Sequence, residues 1–523
     1  MRMKKKIWST AVSVFGLAMA VTGCGTGGRQ PVTQEETRTQ KVQEVQSTGQ
    51  ETSGTETAQG KQEETGTQNA DALREQVLAE ITDEQKNWMG GLSKEQRLAD
   101  FESLCDGLRE NYPYVKLAKR QAGADLDALE TAYRTKVEQC ANDNTFYETL
   151  HDFIREFSYT GHLDLWGRRY ESELASLRTY VKESGETEKE PYIEALDNPV
   201  SRNTYAAMTA FYQEETRLTE EKRAEENGGW RGESAEAEAD EEAAETFEET
   251  MPANVETKIL EPGKTAYVFI DTFGYEWMET DRQILLPFYE QVRDYDNLII
   301  DITNNLGGSM RYFDELVAAP LIKESVTVPT YQLLKGGENN KTFLRLEEGI
   351  ASGLYRPVSA LPALPNLNRE DAADCDWFLR EDYTVEPTGD GFDGKIWLLV
   401  SENNYSSSEY AAMFSKAGGF ATLVGRTTSG DGIGTNPVFL ILPNSGLVVQ
   451  YSPMYGVSAD GTGSEEYGTV PDIVSPEGES ALETCLEWIN FGRKEGAVSS
   501  FFSDMQSSAV VYYYSTDSSA VTL

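Results

Sequence analysis

A serine attacks a carbonyl only if a base takes its proton and donors hold the anion that forms. Three stretches of the chain carry residues suited to this. Ser401-Glu402-Asn403-Asn404-Tyr405-Ser406-Ser407-Ser408-Glu409 follows an apolar run and opens a helix. A serine there sits at the positive end of the helix dipole, where a developing anion is favoured. Any of Ser406, Ser407 or Ser408 could equally serve as a plain N-cap, with Glu409 in the first turn. Asp301-Ile302-Thr303-Asn304-Asn305-Leu306-Gly307-Gly308 runs from a strand through a Gly-Gly turn into a helix. Backbone N–H groups freed by such a turn suit an oxyanion, although the same pair also makes an ordinary tight turn. Glu465-Glu466-Tyr467-Gly468-Thr469-Val470-Pro471-Asp472-Ile473 follows the glycine-rich loop Thr427–Gly432. The whole chain has two histidines, His151 and His162, which argues against a multi-histidine metal centre. His162 lies in a turn, Tyr159-Thr160-Gly161-His162, before a short strand, and His151 lies on a helix between Leu150 and Phe153.

Taken in this order and spacing, the stretches resemble the tail-specific, or C-terminal processing, serine peptidases over roughly Lys258 to Asn490. The resemblance rests on the Asp-x-x-x-Asn-x-Gly-Gly turn, the Ser-x-Ser-Glu helix start, Val424 to Gly430, and the Gly-x-x-Pro-Asp-Ile ending. It implies a crotonase-like spiral core of ββα units, with Ser406 as nucleophile and backbone N–H groups of Gly307 or Gly308 and of Ser407 as oxyanion donors. It implies no cofactor and no metal. The lysine that activates the serine in the processing branch is replaced here by Asp431. A carboxylate is a weak base at neutral pH, so the Ser/Lys dyad is absent. The histidine-using branch, which resembles the tricorn core protease, places its base upstream of the core. Gly161-His162 before Leu163-Asp164-Leu165 fits that pattern, and Glu465 stands six residues before the Pro-Asp pair. An unperturbed imidazole titrates near 6.5 and can serve as the base, with a carboxylate to orient it. The expected catalytic group is therefore Ser406, His162 and Glu465. Two positions depart from the branch. Gly161 stands where a serine often lies beside the histidine, so that Thr160, Tyr159 or direct contact with Glu465 would substitute. Thr303 stands where an arginine is usual after the strand aspartate. These departures motivate an alternative, a catalytically inactive relative that binds peptides or proteins of the cell envelope.

The elements that must position these residues can be traced in the pattern. Ser93 with Gln96 marks a helix start, followed by Phe101, Leu104 and Leu108 at helical spacing. Asp125 to Cys140 and Asn144 to Phe157 read as two further helices. Thr265–Ile270, Leu298–Ile302 and Lys395–Val400 are short apolar strands, as expected when both sheet faces are covered. Helices are expected over Asp281–Val292, Met310–Ile322, from Glu409 to about Ala417, and over Ser480–Asn490. Strands are expected at Ala421–Gly425, Val438–Leu442 and Leu447–Tyr451. The fold class is α/β with added antiparallel strands, preceded by an N-terminal helical domain.

The organisation that follows is a leader over 1–24, a tether over 25–70, and a helical domain carrying His162 over 71–165. An acidic, helical or partly disordered insertion spans 166–257, the catalytic core 258–495 and a tail 496–523. Arg2 and Lys4–Lys6 precede an apolar run from Ile7 to Val21, ending Val21-Thr22-Gly23-Cys24. That ending resembles a bacterial lipobox with Cys24 lipidated, which implies an extracytoplasmic protein tethered to the cell membrane. The formal charge of −42 disfavours nucleic acid and polybasic membrane docking. The expected partner is a peptide or protein substrate. Cys105 and Cys140 are the first candidates for a disulfide, with free buried thiols as the alternative.

Overall fold

The computed structural model describes residues 72–184, 190–226 and 253–495. The leader with Cys24, the tether over 25–70, the all-acidic run Glu233 to Glu249 and the tail from 496 lie outside the described residues.

The centre is a six-stranded sheet. Its strands are β2 (Val255–Glu261), β3 (Thr265–Ile270), β4 (Asn297–Asp301), β8 (Lys395–Val400), β9 (Thr422–Gly425) and β13 (Ile473–Val474), in the order β13-β9-β8-β4-β3-β2. Every neighbour is parallel except the β2–β3 pair. Consecutive residues of these strands point to opposite faces, and both faces are apolar. Val268, Leu298, Ile300, Leu398 and Val400 join one core with the helices Met278–Val292 and Ser407–Gly418. Tyr267, Ile299, Trp397 and Leu399 join a second core with Cys485 and Ile489 of the helix Ala481–Glu495. Two covered faces explain why the strands read as continuous apolar runs rather than alternating ones. The carboxyl ends of β4, β8 and β9 feed the 302–309, 401–406 and 426–432 loops to one edge of this sheet, where α/β proteins place their ligands.

Two antiparallel sheets flank it. One has the order β12-β5-β7-β6, from Met454–Ser458, Val326–Leu334, Trp377–Val385 and Arg356–Pro357. The other has the order β1-β11-β10, from Asp164–Leu165, Val448–Tyr451 and Val438–Ile441. In the second sheet Asp164 pairs with Gln450 and Leu165 with Val449. This pairing stitches the segment carrying His162 onto the half that carries Ser406.

The N-terminal helices form as their patterns dictate. Ser93 accepts from the Gln96 N–H while the Gln96 side chain accepts from the Ser93 N–H, starting the helix Lys94–Asn111. Phe101, Leu104 and Leu108 are fully buried along its inner face, each removal from water contributing about 1.5–3 kcal/mol. The helices Tyr170–Ser184, Glu190–Leu196 and Pro199–Glu226 belong to the same core through Leu174, Leu177, Tyr192, Leu196, Tyr205 and Met208. That core also takes in Phe439, Val448 and Tyr451 of the flanking strands. Cys105, Cys140, Cys375 and Cys485 are all buried free thiols, so the Cys105–Cys140 bond is not formed. Cys140 instead donates to the Lys136 carbonyl at 3.3 Å, while Cys105 packs in the helical core.

Candidate active site

Ser406 ends the loop after β8 and is the residue before the helix Ser407–Gly418. Its backbone has φ 59° and ψ −125°, a region that suits glycine and costs a side-chain-bearing residue roughly 1–3 kcal/mol. The loop is held from several sides. Asn404 is fully buried and donates to the carbonyls of Ile302 at 2.6 Å and Asn305 at 3.0 Å. The Ser406 N–H donates to the Gly430 carbonyl at 3.0 Å. Among the three serines that could cap the helix, the Ser406 side chain makes no capping bond. Ser408 accepts from the Tyr405 N–H at 3.0 Å and donates to the Asn305 carbonyl at 2.8 Å, and Ser407 Oγ is buried without a partner. The bracing thus falls to Ser408 and leaves the Ser406 hydroxyl facing the cleft.

His162 lies 7 % exposed in a turn whose backbone is held left-handed at Ser158, Tyr159, Gly161 and His162. Its Nδ1 is 2.6 Å from Asp431 Oδ2 and 3.0 Å from Ser452 Oγ. Ser452 in turn donates to Asp431 Oδ2 at 2.7 Å, and the Tyr114 hydroxyl donates to Asp431 Oδ1 at 2.8 Å. A carboxylate so placed accepts a hydrogen bond from Nδ1–H, which leaves the lone pair on Nε2. His162 and Ser406 line the same cavity, with Asp431 in the small pocket behind them. Ser406, His162 and Asp431 are three of the six non-glycine residues with positive φ among the described residues. Backbone strain therefore gathers at one place, as it does where geometry serves chemistry.

Asp431 is the residue that sequence reasoning dismissed. As a replacement for a lysine base it has no use, but as the anionic partner of an imidazole it fits. The expected partner, Glu465, makes different bonds. Its Oε1 accepts from the Gly161 N–H at 3.0 Å and its Oε2 from the Tyr405 hydroxyl at 3.1 Å, so it braces the turn beside the ring. Removal from water, reinforced by repulsion from Asp431, pushes the Glu465 carboxyl well above the ordinary range. Gly161 also finds its reason here. A Cβ at that position would lie 2.4 Å from the Tyr114 ring, and φ is +56°. Tyr114 occupies the space a serine side chain would need, and its hydroxyl together with Ser452 supplies the hydrogen bonds. Thr160 does not take that role: its Oγ1 donates to the Phe157 carbonyl at 2.8 Å.

One oxyanion expectation needs correcting. The Gly307 N–H donates to Asn305 Oδ1 at 2.9 Å and is not free. Gly308 and Ser407 remain, with no acceptor on their N–H groups among the described residues. Gly307 contributes instead by absence of a side chain: a Cβ there would sit 2.8 Å from the Tyr405 carbonyl oxygen and 3.2 Å from Ser406 Cβ. Thr303, in place of the arginine, caps Asp301 through its N–H and hydroxyl at 2.9 and 2.7 Å, and Tyr267 donates to the other oxygen at 2.9 Å. Glu409 is buried where it fastens the helix to the next loop, accepting from Thr469 Oγ1 at 2.7 Å and from Thr428 Oγ1. Burial pushes its carboxyl up to about 7. His151 is remote from this cluster, its ring stacked on Tyr147. No metal-binding cluster of His, Cys, Asp and Glu occurs among the described residues.

The chain is similar to several known proteins. Residues 264–475 match the model of Peptidase family S41. A protein of Parabacteroides merdae described as a candidate peptidase aligns at 16% identity over 75% of this chain and 96% of its own, with TM-score 0.44. A lipoprotein from Streptococcus agalactiae aligns at 12% identity over 75% and 96%, with TM-score 0.40. Mature CPAF complexed with lactacystin aligns at 13% identity over 77% and 98%, with TM-score 0.43.

Proposed function

We propose that the chain is a serine peptidase in which Ser406 attacks, His162 moves the proton and Asp431 holds the imidazole. The observation that carries this reading is the 2.6 Å contact of His162 Nδ1 with Asp431, made beside a strained Ser406 in the same cleft. Ser406 Oγ bonds to the substrate carbonyl carbon as its proton passes to His162 Nε2. The carbonyl oxygen takes up the electron pair and is held by the N–H groups of Gly308 and Ser407. Collapse breaks the C–N bond, and the imidazolium gives its proton to the departing amine. Water then attacks the acyl-serine, yielding its proton to Nε2, and Ser406 recovers it as the acid product leaves. Glu465 and Tyr405 steady the turn that carries the histidine. The histidine-using branch and a crotonase-like spiral core belong to the same reading, as does an extracytoplasmic protein tethered through Cys24.

A fluorophosphonate probe tests it. Covalent labelling of Ser406, lost in Ser406→Ala and His162→Ala variants that fold normally, is expected. An unlabelled wild-type protein that still binds peptides would instead identify the non-catalytic relative.

A further inference from the structure

The cleft at Ser406 opens into a cavity of about 680 Å³ that runs beneath the helices Tyr170–Ser184 and Glu190–Leu196. Leu177, Tyr192, Leu196 and Phe439 give it apolar walls. Two residues of its lining carry acceptors without donors. Glu173 is 7 % exposed, and its carboxyl makes no hydrogen bond or ion pair among the described residues. Asn436 is 4 % exposed, and its Oδ1 is buried with no partner. The donors nearby are already engaged: Arg169 with Asp164, and the Trp166 indole N–H with Gln450 Oε1 at 2.7 Å. A buried acceptor left without a donor is costly, and two in one cavity specify what a ligand should bring.

We propose that this cavity is the specificity pocket and takes a substrate side chain ending in a cation, lysine or arginine, with Glu173 receiving the charge and Asn436 Oδ1 accepting a hydrogen bond. The inference rests on the peptidase reading for its location beside Ser406. Apolar walls suit the methylene stem of such a side chain while its head reaches the acceptors. A formal charge of −42 draws cationic segments toward the protein as a whole. Burial pushes the Glu173 carboxyl up to about 7, with Arg169 on the preceding turn opposing this and Glu276 adding to it. An incoming ammonium would ionise Glu173 and pair with it.

The test is made on Ser406→Ala protein, so that binding is read without turnover. Two peptides identical except for one lysine or norleucine are titrated at pH 8. The lysine peptide should bind at least tenfold tighter, and Glu173→Gln should bring the two within about twofold. The preference should also shrink in protein with native Glu173 as pH falls from 8 to 6. The norleucine peptide subtracts the effects of Arg169, Asp164, Glu276, His162, Glu402, Glu465 and Glu466 on the rest of the peptide, and their action on the ammonium is read from the pH dependence that survives in Glu173→Gln. If Glu173→Gln fails to fold, Glu173→Leu read with the same two peptides and the same pH series decides the matter. Equal binding, binding of neither peptide up to millimolar concentration, or a preference indifferent to pH or to Glu173→Gln overturns the proposal. Labelling of Ser406 without lysine preference would leave the peptidase reading standing. Lysine-selective binding without labelling would do the reverse.

Discussion

Replacing Asp431 by asparagine changes almost no atoms and should remove nearly all activity. The carboxylate is held by the Tyr114 hydroxyl at 2.8 Å on one oxygen and by Ser452 at 2.7 Å on the other, which also faces His162 Nδ1 at 2.6 Å. An amide in this place loses the negative charge and turns one acceptor into a donor. With its NH₂ toward the ring, Nδ1 must accept, the proton moves to Nε2, and no lone pair remains for the Ser406 proton. With its oxygen toward the ring, the tautomer survives, but the NH₂ then meets the Tyr114 hydroxyl, and the imidazolium still forms without a counter-charge. A charge-assisted hydrogen bond contributes about 1.5–3 kcal/mol, and the misplaced proton adds to that. A total near 4 kcal/mol corresponds to roughly a 10³-fold slower reaction. The assay is the second-order rate of fluorophosphonate labelling, with peptide hydrolysis alongside and thermal unfolding as the control. Glu465→Gln should lose at most about tenfold, because Glu465 bonds to the Gly161 N–H and Tyr405 rather than to the ring. An Asp431→Asn loss of less than tenfold, or a larger loss in Glu465→Gln, would refute the assignment of the carboxylate.

Other expectations follow from the same geometry. A carboxyl raised in the folded state stabilises it fully below the unfolded value and loses that contribution as pH rises through the folded value. Glu409, raised to about 7, should therefore cost the wild type up to about 3 kcal/mol of unfolding free energy between pH 4.5 and 8, and Glu409→Gln should flatten that dependence. Chemical denaturation across this range measures it, and equal slopes in the two proteins would count against the buried carboxyl. Gly161→Ala should slow labelling at least tenfold and lower the unfolding temperature, because its Cβ would meet the Tyr114 ring at 2.4 Å with φ at +56°. Alkylation followed by mass mapping should leave Cys105, Cys140, Cys375 and Cys485 unmodified in the native protein. All four are buried free thiols, and burial pushes Cys375 and Cys485 up to about 12.

Much of this site was legible because its residues sit at ends of elements with strong local signals. Ser406 follows an apolar strand and precedes a helix, and His162 precedes a short strand. The expected strands Thr265–Ile270 and Lys395–Val400 agree with β3 and β8 to the residue. What failed to show were facts of tertiary contact. Asp431 meets a histidine 269 positions away, and no local pattern connects a glycine-rich loop with a distant turn. The Gly307 N–H was lost to Asn305, a contact two residues long that depends on a backbone turn. Strands β5 and β7 were missed because Pro329 and the Arg380-Glu381-Asp382 run argue against a sheet interior. The structure resolves the proline: β12 pairs only with Thr330–Leu334, so at Pro329 the strand has one neighbour, as at an edge. The stretch 166–257 was read from its charge as an acidic insertion; among its described residues Leu174, Leu177, Tyr205 and Met208 pack into the helical core, and the helix Tyr170–Ser184 walls the cavity beside Ser406.

The stitching of Asp164–Leu165 onto Gln450 and Val449 joins two lengths of chain, between which the proposed acid–base residues are divided. Ser201 and Thr204 add a second seam, donating to the carbonyls of Gly446 at 2.7 Å and Ser445 at 2.6 Å. The stretch ending at residue 226 carries the imidazole, and the stretch beginning at 253 carries the serine and both hydrogen-bonded carboxylates. Neither alone holds a complete proton relay. A ribosome emitting this chain from the N-terminus thus delivers the base long before the nucleophile, and β11 later still. On the proposed reading, hydrolysis can begin only once β11 has paired with β1, and a half-made copy would lack it. By the same logic, two co-expressed fragments meeting at these seams should regain serine labelling that each lacks, making the protein a natural candidate for reconstitution from halves.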